Sequence, residues 1–453
     1  MDRRIVAALQ AQPGIDDWTL RLQRSRGVQI YLAGHAIESV REVSREAYEV
    51  ELFNDHPTPA GDGDGSSTAR GSATIPLARA DLPRLDSILG DAVTLASLVH
   101  NPPWSLPGPV DLPEVALADE RLGSSAEAVA AGLEAADQIR DLADLERGSG
   151  VRLSGAELFL THYEEELLNS RGIEAGATST RILMEITLLA RGADDETEYF
   201  RQAEGRRLDD LNLAATVRDG AGLARDKLRA TVPATRLGPV VVEGEALHQL
   251  MSGQWSGALG TYLYQADART AYERISRFEV GASVYGELPL AGEPLTVRAN
   301  ARRPFGTSSY RFDSDGLPAQ DLLVIEDGIL RARPATQRYA QYLGLPATGR
   351  PGVAQIPPGA TVTADLLGDQ PVLHVLDFSA SNVEAVSGDF GMEIRVGYEV
   401  GPDGARPVSG GSVTGNLFEA MANARFSSET AEYAMYAGPS AIRFESLQVG
   451  GED

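Results

Sequence analysis

The sequence contains no cysteine. This absence excludes disulfides, thiolate metal sites and cysteine nucleophiles. Basic residues are scarce as well, because 40 Lys and Arg stand against 65 Asp and Glu and give a formal net charge of −25. A protein that neutralises phosphates needs a basic face. We therefore expect neither non-specific binding of nucleic acid nor adsorption to anionic lipid.

Long hydrophobic runs are also missing. No segment approaches the roughly 20 apolar residues that a transmembrane helix needs. The sequence starts with MDRRIVAALQAQPG, whose apolar run ends after about five residues, whereas a secretory signal needs at least about seven. We expect a short amphipathic helix here and a cytoplasmic protein that does not enter a membrane.

The length and composition indicate a globular protein of several domains. The 453 residues are 43% hydrophobic and 23% charged, a balance typical of chains that fold around sizeable cores. A chain of this length is expected to form two or three domains.

The N-terminal half mixes helical and strand patterns. Residues 1–53 indicate a short helix followed by strands, and apolar residues at helical spacing predict a helix over 81–100. A second helix is expected to begin after a Ser cap at Ser124 or Ser125. Residues 151–192 alternate as strands do, and a charged helix is predicted at about 205–230.

The C-terminal half is dominated by short strand patterns separated by Gly, Pro and Asp, with one helix predicted near 335–343. We therefore predict an α+β protein. Its N-terminal domain, residues 1–232, combines helices with a β-sheet, and its C-terminal domain, residues 233–453, is mostly antiparallel β and resembles a barrel.

The six histidines do not form a zinc helix. They are His35, His56, His100, His162, His248 and His374, and none has another histidine three to five residues away. Two histidine ligands on one helical face require such a spacing. Glu245 and His248 come nearest, as a carboxylate and an imidazole three residues apart. We favour a simpler interpretation, in which Glu245 is placed favourably in the first turn of a helix.

The other acidic clusters are interpreted structurally. Asp62 and Asp64 resemble the start of a calcium loop, but Ala73 stands where that loop needs a bidentate Glu, so a flexible loop is expected. No P-loop, dinucleotide fingerprint or Gly-x-Ser-x-Gly motif is found.

Two further acidic groups lie in strand-like segments. Tight turns account for Asp313, Asp315, Glu326 and Asp327 better than a carboxylate site does. Residues 164–166, three consecutive glutamates on a predicted strand, suit a solvated edge of a sheet, since neighbouring side chains of a strand face opposite ways.

Six segments, in order along the chain, resemble motifs of the TldD/PmbA family. They are ELLNSRGIEAGATSTRILMEITLLARG (166–192), RDKLRATVPATRLGPVVVEGEALHQLM (225–251), YRFDSDGLPAQDLLVIEDGIL (310–330), YAQYLGLPATGRPG (339–352), VTGNLFEAM (413–421) and GPSAIRFESLQVGG (438–451). Each match is weak alone, but their common order makes the resemblance fairly specific.

The resemblance implies a function within a two-subunit peptidase. TldD-type chains of the family carry a His-Glu-x-x-x-His zinc helix, and they pair with TldE/PmbA-type chains that lack it. Here the corresponding stretch follows Val242, with Gln249 after its only histidine and no second histidine. The chain therefore resembles a TldE/PmbA-type subunit.

Such a subunit is expected to hold no zinc or other cofactor and no catalytic residue of its own, with Glu245 and His248 marking a degenerate metal position. Zinc is expected in a TldD-like partner subunit, which this chain would support while shaping a channel for extended peptides. Five residues are candidates for the channel or for the family's signature turns: Asn169, Ser170, Gly172, Gly415 and Asn416. A structural role is favoured for Gly172, as a turn residue with positive φ.

Two other functions stay open at this point. The chain could be a free-standing homodimer with a binding or scaffolding task, since several motifs have diverged, for example at Arg350, where the family often has Asn. It could also be a tailoring enzyme for a peptide-like metabolite that uses Glu245, His248 or the turn with Asp313 and Asp315.

Overall fold

The computed structural model describes residues 1–58, 67–252, 257–368, 371–433 and 435–452. Asp62 and Asp64 lie outside these residues. The described residues form one long antiparallel sheet with helices in the N-terminal half and two further sheets in the C-terminal half. The predicted α+β class, with a barrel in the C-terminal part, is confirmed. Within the described ranges, no helix combines the length and apolar character needed to cross a lipid bilayer.

The first sheet contains six strands: β1 (Asp17–Ala33), β2 (Ala36–Pro57), β3 (Thr68–Leu77), β4 (Val151–Asn169), β5 (Glu174–Arg191) and β6 (Glu196–Gly205). Their order is β3-β2-β1-β4-β5-β6, and all neighbours are antiparallel. Because side chains alternate along a strand, one face carries the apolar residues of the core, such as Leu20, Ile30 and Ile186. The opposite face is turned towards the C-terminal half.

Helices cover the apolar face of this sheet: α1 (Arg3–Ala11), α2 (Leu85–Ala96), α3 (Ser125–Glu146) and α4 (Leu213–Lys227). The predicted cap of α3 is confirmed, since the Ser124 hydroxyl accepts a hydrogen bond from the backbone N–H of Glu127. Helix α2 is shorter than predicted because a 3-10 turn at Arg79–Arg84, which contains Pro83, precedes it. Helix α4 starts later than predicted because β6 continues to Gly205.

The strands of the C-terminal half are β7 (Arg236–Glu243), β8 (Val297–Asn300), β9 (Asp321–Glu326), β10 (Ile329–Leu330), β11 (Val353–Gln355), β12 (Val372–Val383), β13 (Asp389–Gly401), β14 (Gly404–Val408), β15 (Ser412–Asn416), β16 (Arg425–Phe426), β17 (Thr430–Tyr433), β18 (Tyr436–Pro439) and β19 (Ala441–Gly450). β12, β7, β19, β15 and β13 pair in this order, and pairing of β12 with β13 closes them into a five-stranded barrel. The remaining sheet has the order β10-β9-β8-β11-β18-β17.

The helices of this half are α5 (Gly244–Ser252), α6 (Ala258–Ala266), α7 (Ala268–Tyr272), α8 (Gln337–Leu343), α9 (Thr363–Leu367) and α10 (Leu417–Ala422). The helix predicted near 335–343 corresponds to α8, whereas α6, α7, α9 and α10 were not predicted. One apolar core joins the barrel, the second sheet and helices α5, α6 and α10.

Two arginines tie the halves together. The guanidinium of Arg206, which follows β6, donates to the carbonyl of Thr180 on β5 (3.1 Å) and to the carbonyls of Gly306 (2.7 Å) and Ser309 (2.8 Å). Arg311 donates to the carbonyl of Gly176 on β5 (2.8 Å). These bonds hold the segment around residues 306–311 against the free face of the first sheet.

Candidate functional site

A cavity of about 840 Å³ lies between the first sheet and the barrel. Its walls come mainly from the free face of β4 and β5, the outer strand β6, helix α5, the part of β12 beyond its pairing with β7, and the segment 307–312, with single residues from β1 and β13. The lining includes Tyr163, Ser179, Arg181, Phe200, Arg201, Gln202, Glu204, Glu245, His248, Gln249, Asp377, Ser379, Ala380, Ser381 and Arg395. It therefore contains Glu245 and His248, the two residues that the resemblance predicts to mark a degenerate metal position.

Helix α5 presents Glu245 and His248 on one face. It begins directly after β7 at Gly244, whose φ of +63° allows the sharp change from strand to helix. The carboxylate of Glu245 lies 3.3 Å from Nδ1 of His248. The imidazole also stacks on the ring of Tyr433, with 5.3 Å between the ring centres and 14° between the planes. Both contacts fix the orientation of the His248 side chain.

Gln249 is bound to the neighbouring strand β12. Its amide nitrogen donates to a carboxylate oxygen of Asp377 (3.0 Å) and to the carbonyl of Phe378 (3.0 Å). Its amide oxygen accepts from the backbone N–H of Phe378 (2.8 Å). Gln249 thus bonds both backbone groups of Phe378, as a residue of an adjacent strand would do.

Asp377 forms a buried ion pair beside the cavity. Its side chain is almost fully buried, and Arg395 Nε lies 3.2 Å from the carboxylate. Burial raises the pKa of Asp377 to about 6, although Arg395 acts to lower it. Sequence analysis did not identify Asp377 or Arg395. The available signal was a single carboxylate in the otherwise apolar segment VLHVLDF.

These side chains do not fit a hydrolytic zinc ion. Such a site needs three protein ligands, an open position and a base for the attacking water. Glu245 and His248 supply two donors, and the amide of Gln249 is fully engaged with β12. Throughout the described part of the chain, no group of three His, Cys, Asp or Glu side chains is placed to hold one metal ion.

Two strand edges run along the cavity. β6 is the outermost strand of the first sheet. β12 pairs with β7 only over Leu373–Val375, so that within the described residues its segment from Asp377 onward has a strand partner, β13, on one side only. Unpaired backbone groups on such edges can bind an extended peptide as an additional strand.

The signature turn 169–173 lies elsewhere. Asn169 is buried, and its side-chain oxygen accepts from the backbone N–H of Arg171 (3.0 Å) and of Ile173 (2.9 Å). Gly172 has a φ of +95°, in the region that favours glycine. The three candidates of this turn, Asn169, Ser170 and Gly172, are not among the residues that line the cavity. Their contacts stabilise the β4–β5 hairpin.

Ser170 belongs to a buried polar network that the sequence did not reveal. Its hydroxyl donates to one carboxylate oxygen of Asp17 (2.6 Å), while Arg70 (2.8 Å) and Arg171 (2.7 Å) donate to the other. Burial acts to raise the pKa of Asp17, but hydrogen bonds from Arg171, Ser170 and Arg70 outweigh it and lower that pKa. The network joins β1, β3 and the signature turn.

Gly415 and Asn416 are also outside the cavity lining. Asn416 caps α10, since its side-chain oxygen accepts from the backbone N–H of Phe418 (3.1 Å). A Cβ atom at position 415 would lie 2.9 Å from a methyl carbon of Leu447, so close packing accounts for this glycine. Both residues join β15 to α10.

Asp313 and Asp315 form a turn, in keeping with the structural interpretation. One oxygen of Asp313 accepts from the backbone N–H of Asp315 (2.9 Å) and of Leu317 (3.0 Å). Burial raises the pKa of Asp313 to about 6 and raises that of Asp315. The turn faces the first sheet and does not line the cavity.

The expectation for residues 164–166 was wrong. These glutamates lie on β4, which is a central strand between β1 and β5. Their carboxylates form ion pairs with arginines of β1: Arg26 with Glu164 (3.5 Å), Arg21 with Glu165 (3.2 Å) and Arg24 with Glu166 (2.7 Å). Cross-strand charge pairs of this kind make a central position possible.

Comparisons with known proteins show what the chain resembles. Residues 235–451 match the family model of the PmbA/TldA metallopeptidase C-terminal domain. The chain is 27% identical over 273 residues to the metalloprotease PmbA of Escherichia coli O157:H7, and this alignment covers 58% of each protein. The chain thus spans somewhat more than half the length of this relative.

Solved structures share the fold over nearly the whole chain. TldE from Thermococcus kodakarensis is 16% identical, with a TM-score of 0.77 and 99% of both chains covered. A protein from Thermotoga maritima, described as a modulator of DNA gyrase, gives the same values. A protein of the same description from Bacteroides thetaiotaomicron has a TM-score of 0.76. By its sequence, the C-terminal part of the chain, residues 235–451, belongs to the PmbA/TldD metallopeptidase family, and the chain as a whole has the fold of the TldE and gyrase-modulator structures.

Proposed function

We propose that the chain is a TldE/PmbA-like, non-catalytic subunit that pairs with a zinc-bearing TldD-like subunit of a peptidase. This proposal rests on the identity and the hydrogen bonds of Gln249. By resemblance this residue stands at the Glu of the His-Glu-x-x-x-His motif, and its amide is bonded to β12. An amide cannot take a proton from water as a carboxylate does.

The remainder of the motif supports the same conclusion. Position 253, where the second histidine of the motif would stand, is Gly in the sequence. His248 is held between Glu245 and the ring of Tyr433, so its known contacts are those of a packed side chain. We assign the hydrolytic zinc to the partner and not to this chain.

The cavity gives the chain its second role, the binding of extended peptide. The edges of β6 and β12 offer backbone donors and acceptors, which hold a peptide with little demand on its sequence. Gln249 covers the backbone groups of Phe378 only, and among the described residues β12 beyond Phe378 has a strand partner, β13, on one side only. In the complex, these edges would extend the cleft of the zinc subunit.

Co-purification tests the proposal. The tagged chain is co-expressed with a His-Glu-x-x-x-His chain from the same genome, and the complex is assayed for peptidase activity. We expect a heterodimer whose activity is lost with chelator or when the first histidine of the partner's motif is replaced. Activity of this chain alone that persists in chelator would contradict the proposal, as would the absence of any complex.

A substitution in this chain provides the matched control. His248→Ala removes the only imidazole at the degenerate position. Since we place the zinc in the partner, the zinc content of the complex should be unchanged by this substitution. Loss of the bound zinc would show that His248 is a ligand.

A further inference from the structure

The arginines of the cavity differ in their contacts. Arg181 pairs with Glu204 (2.9 Å) and Arg395 with Asp377 (3.2 Å). Arg206 and Arg311, which also line the cavity, bond to backbone carbonyls as described above. The guanidinium of Arg201, on β6, has neither a hydrogen bond nor an ion pair with any residue that the structure describes, and this residue is half-buried.

Arg201 lies near the degenerate metal position. Burial raises the pKa of Tyr433 to about 12, and the positive charge of Arg201 acts to lower it. The charge of Arg201 also acts on Tyr199, beside Asp377. Arg201 lines the same cavity as Glu245 and His248 of α5, and Tyr433 stacks on His248.

The carboxylates nearby are already engaged. Glu204 is paired with Arg181, Asp377 with Arg395, and Glu245 contacts His248. A half-buried guanidinium loses part of its hydration and gains from an anion that can accept two of its parallel N–H bonds. A carboxylate has the geometry to do so.

We propose that Arg201 binds a carboxylate group of the ligand that occupies this cavity. The inference rests on the proposed function, in which that ligand is an extended peptide along β6. The carboxylate then belongs either to an acidic side chain or to the C-terminus of the peptide. Peptides that carry a carboxylate at this place are bound in preference to neutral ones.

Calorimetric titration of the full-length chain tests this inference. The probes are acetylated Ala-Thr-Ala-X-Ala-Thr-Val-Ala peptides, with Glu or Gln as X and with a free or amidated C-terminus. We expect at least one of the carboxylate sources to tighten binding about tenfold relative to the neutral peptide. The peptide with Glu and an amidated C-terminus carries only a side-chain carboxylate, whereas the peptide with Gln and a free C-terminus carries only the terminal one. Comparing their affinities shows which carboxylate is bound.

Substitutions test whether Arg201 causes the preference for peptides with a carboxylate. Arg201→Gln should abolish it, and Arg201→Lys should retain part of it because the charge remains without the planar fork. The control is Arg152→Gln, on an exposed arginine of β4 for which no ion pair with a described residue is found. It should leave the preference unchanged, and circular dichroism checks that each variant is folded.

Several results would overturn the inference: equal binding of all probes, binding of none, or a preference that survives in Arg201→Gln. Equal binding would leave the subunit proposal intact, because that proposal depends on co-purification and on where the zinc resides. Conversely, failure to form a heterodimer would leave a carboxylate preference of the isolated chain unaffected.

Discussion

Gln249 has the clearest structural role of the individual residues at the candidate site. Its three hydrogen bonds satisfy one buried carboxylate oxygen and both backbone groups of Phe378. Sequence analysis noted its place after the only histidine but could not predict these bonds. The partner strand β12 lies more than 120 residues away along the chain, and nothing local to the helix indicates that contact.

Gln249→Ala should lower the free energy of unfolding by about 2 kcal/mol, because the Asp377 carboxylate and Phe378 lose their partners while staying largely buried. Urea denaturation measures the change. The control is Gln138→Ala on the exposed side of α3, where a single long bond to Glu134 (3.4 Å) is lost. Equal stabilities for Gln249→Ala and the native chain would refute the role given to this amide.

For single residues, features set by the neighbouring sequence were predicted correctly, whereas contacts between segments far apart in the chain were not predicted. The positive φ expected of Gly172 is found, since a tight hairpin imposes it whatever surrounds the turn. The network of Ser170, Asp17 and Arg70 could not be predicted, because it depends on how β1 and β3 approach the turn.

Among the elements, helices with a strong cap were predicted best. Helix α3 begins where the Ser124 hydroxyl accepts from the backbone N–H of Glu127 and donates to its carboxylate, a signal contained in a few residues. The position of a strand within its sheet has no such signal. Residues 164–166 were assigned to a solvated sheet edge because consecutive acidic side chains of a strand face opposite ways, whereas β1 supplies an arginine for each of them.

A pH dependence follows from the burial of Glu51 on β2. Burial raises the pKa of Glu51 from 4.5 to about 7, and the charges of Asp315 and Glu49 add to the effect. Between these two values the folded state holds more protons than the unfolded state. The contribution of Glu51 to stability is therefore complete below about pH 4.5 and is lost as the pH rises through 7.

Glu51→Gln should accordingly stabilise the protein at about pH 8, by roughly 1 to 2 kcal/mol, because a neutral amide replaces a desolvated charge. The gain should shrink towards pH 5.5. Urea denaturation at both pH values measures it, with Glu38→Gln on the exposed part of β2 as the control. If Glu51→Gln raised the free energy of unfolding equally at both pH values, the raised pKa of Glu51 would be contradicted.

For the whole molecule, the helix and strand patterns led to the fold class, and the order of the six motifs led to the family. The cavity could not be derived from the sequence, because β5, β6, α5 and β12 meet there only through packing. The division of the chain at residues 232/233 stays a prediction, although extensive bonds through Arg206 link the parts on either side of it.

Arg206→Met should destabilise the molecule by about 3 kcal/mol, since its bonds between the two halves are lost and the carbonyls that they satisfied are left without a donor. Burial lowers the pKa of Arg206 to about 10, which reflects how completely the group is enclosed. Thermal and urea unfolding provide the measurement. Arg207→Met, at the adjacent exposed arginine that pairs with Asp210, is expected to have a much smaller effect.

Metal analysis of the purified chain tests the central claim most directly. The chain is prepared alone and in complex with its zinc-motif partner, dialysed against zinc, and measured by elemental mass spectrometry. We predict far less than stoichiometric zinc for the chain alone and about one zinc per heterodimer in the complex. Stoichiometric zinc bound tightly by the isolated chain, and lost in His248→Ala, would contradict the account.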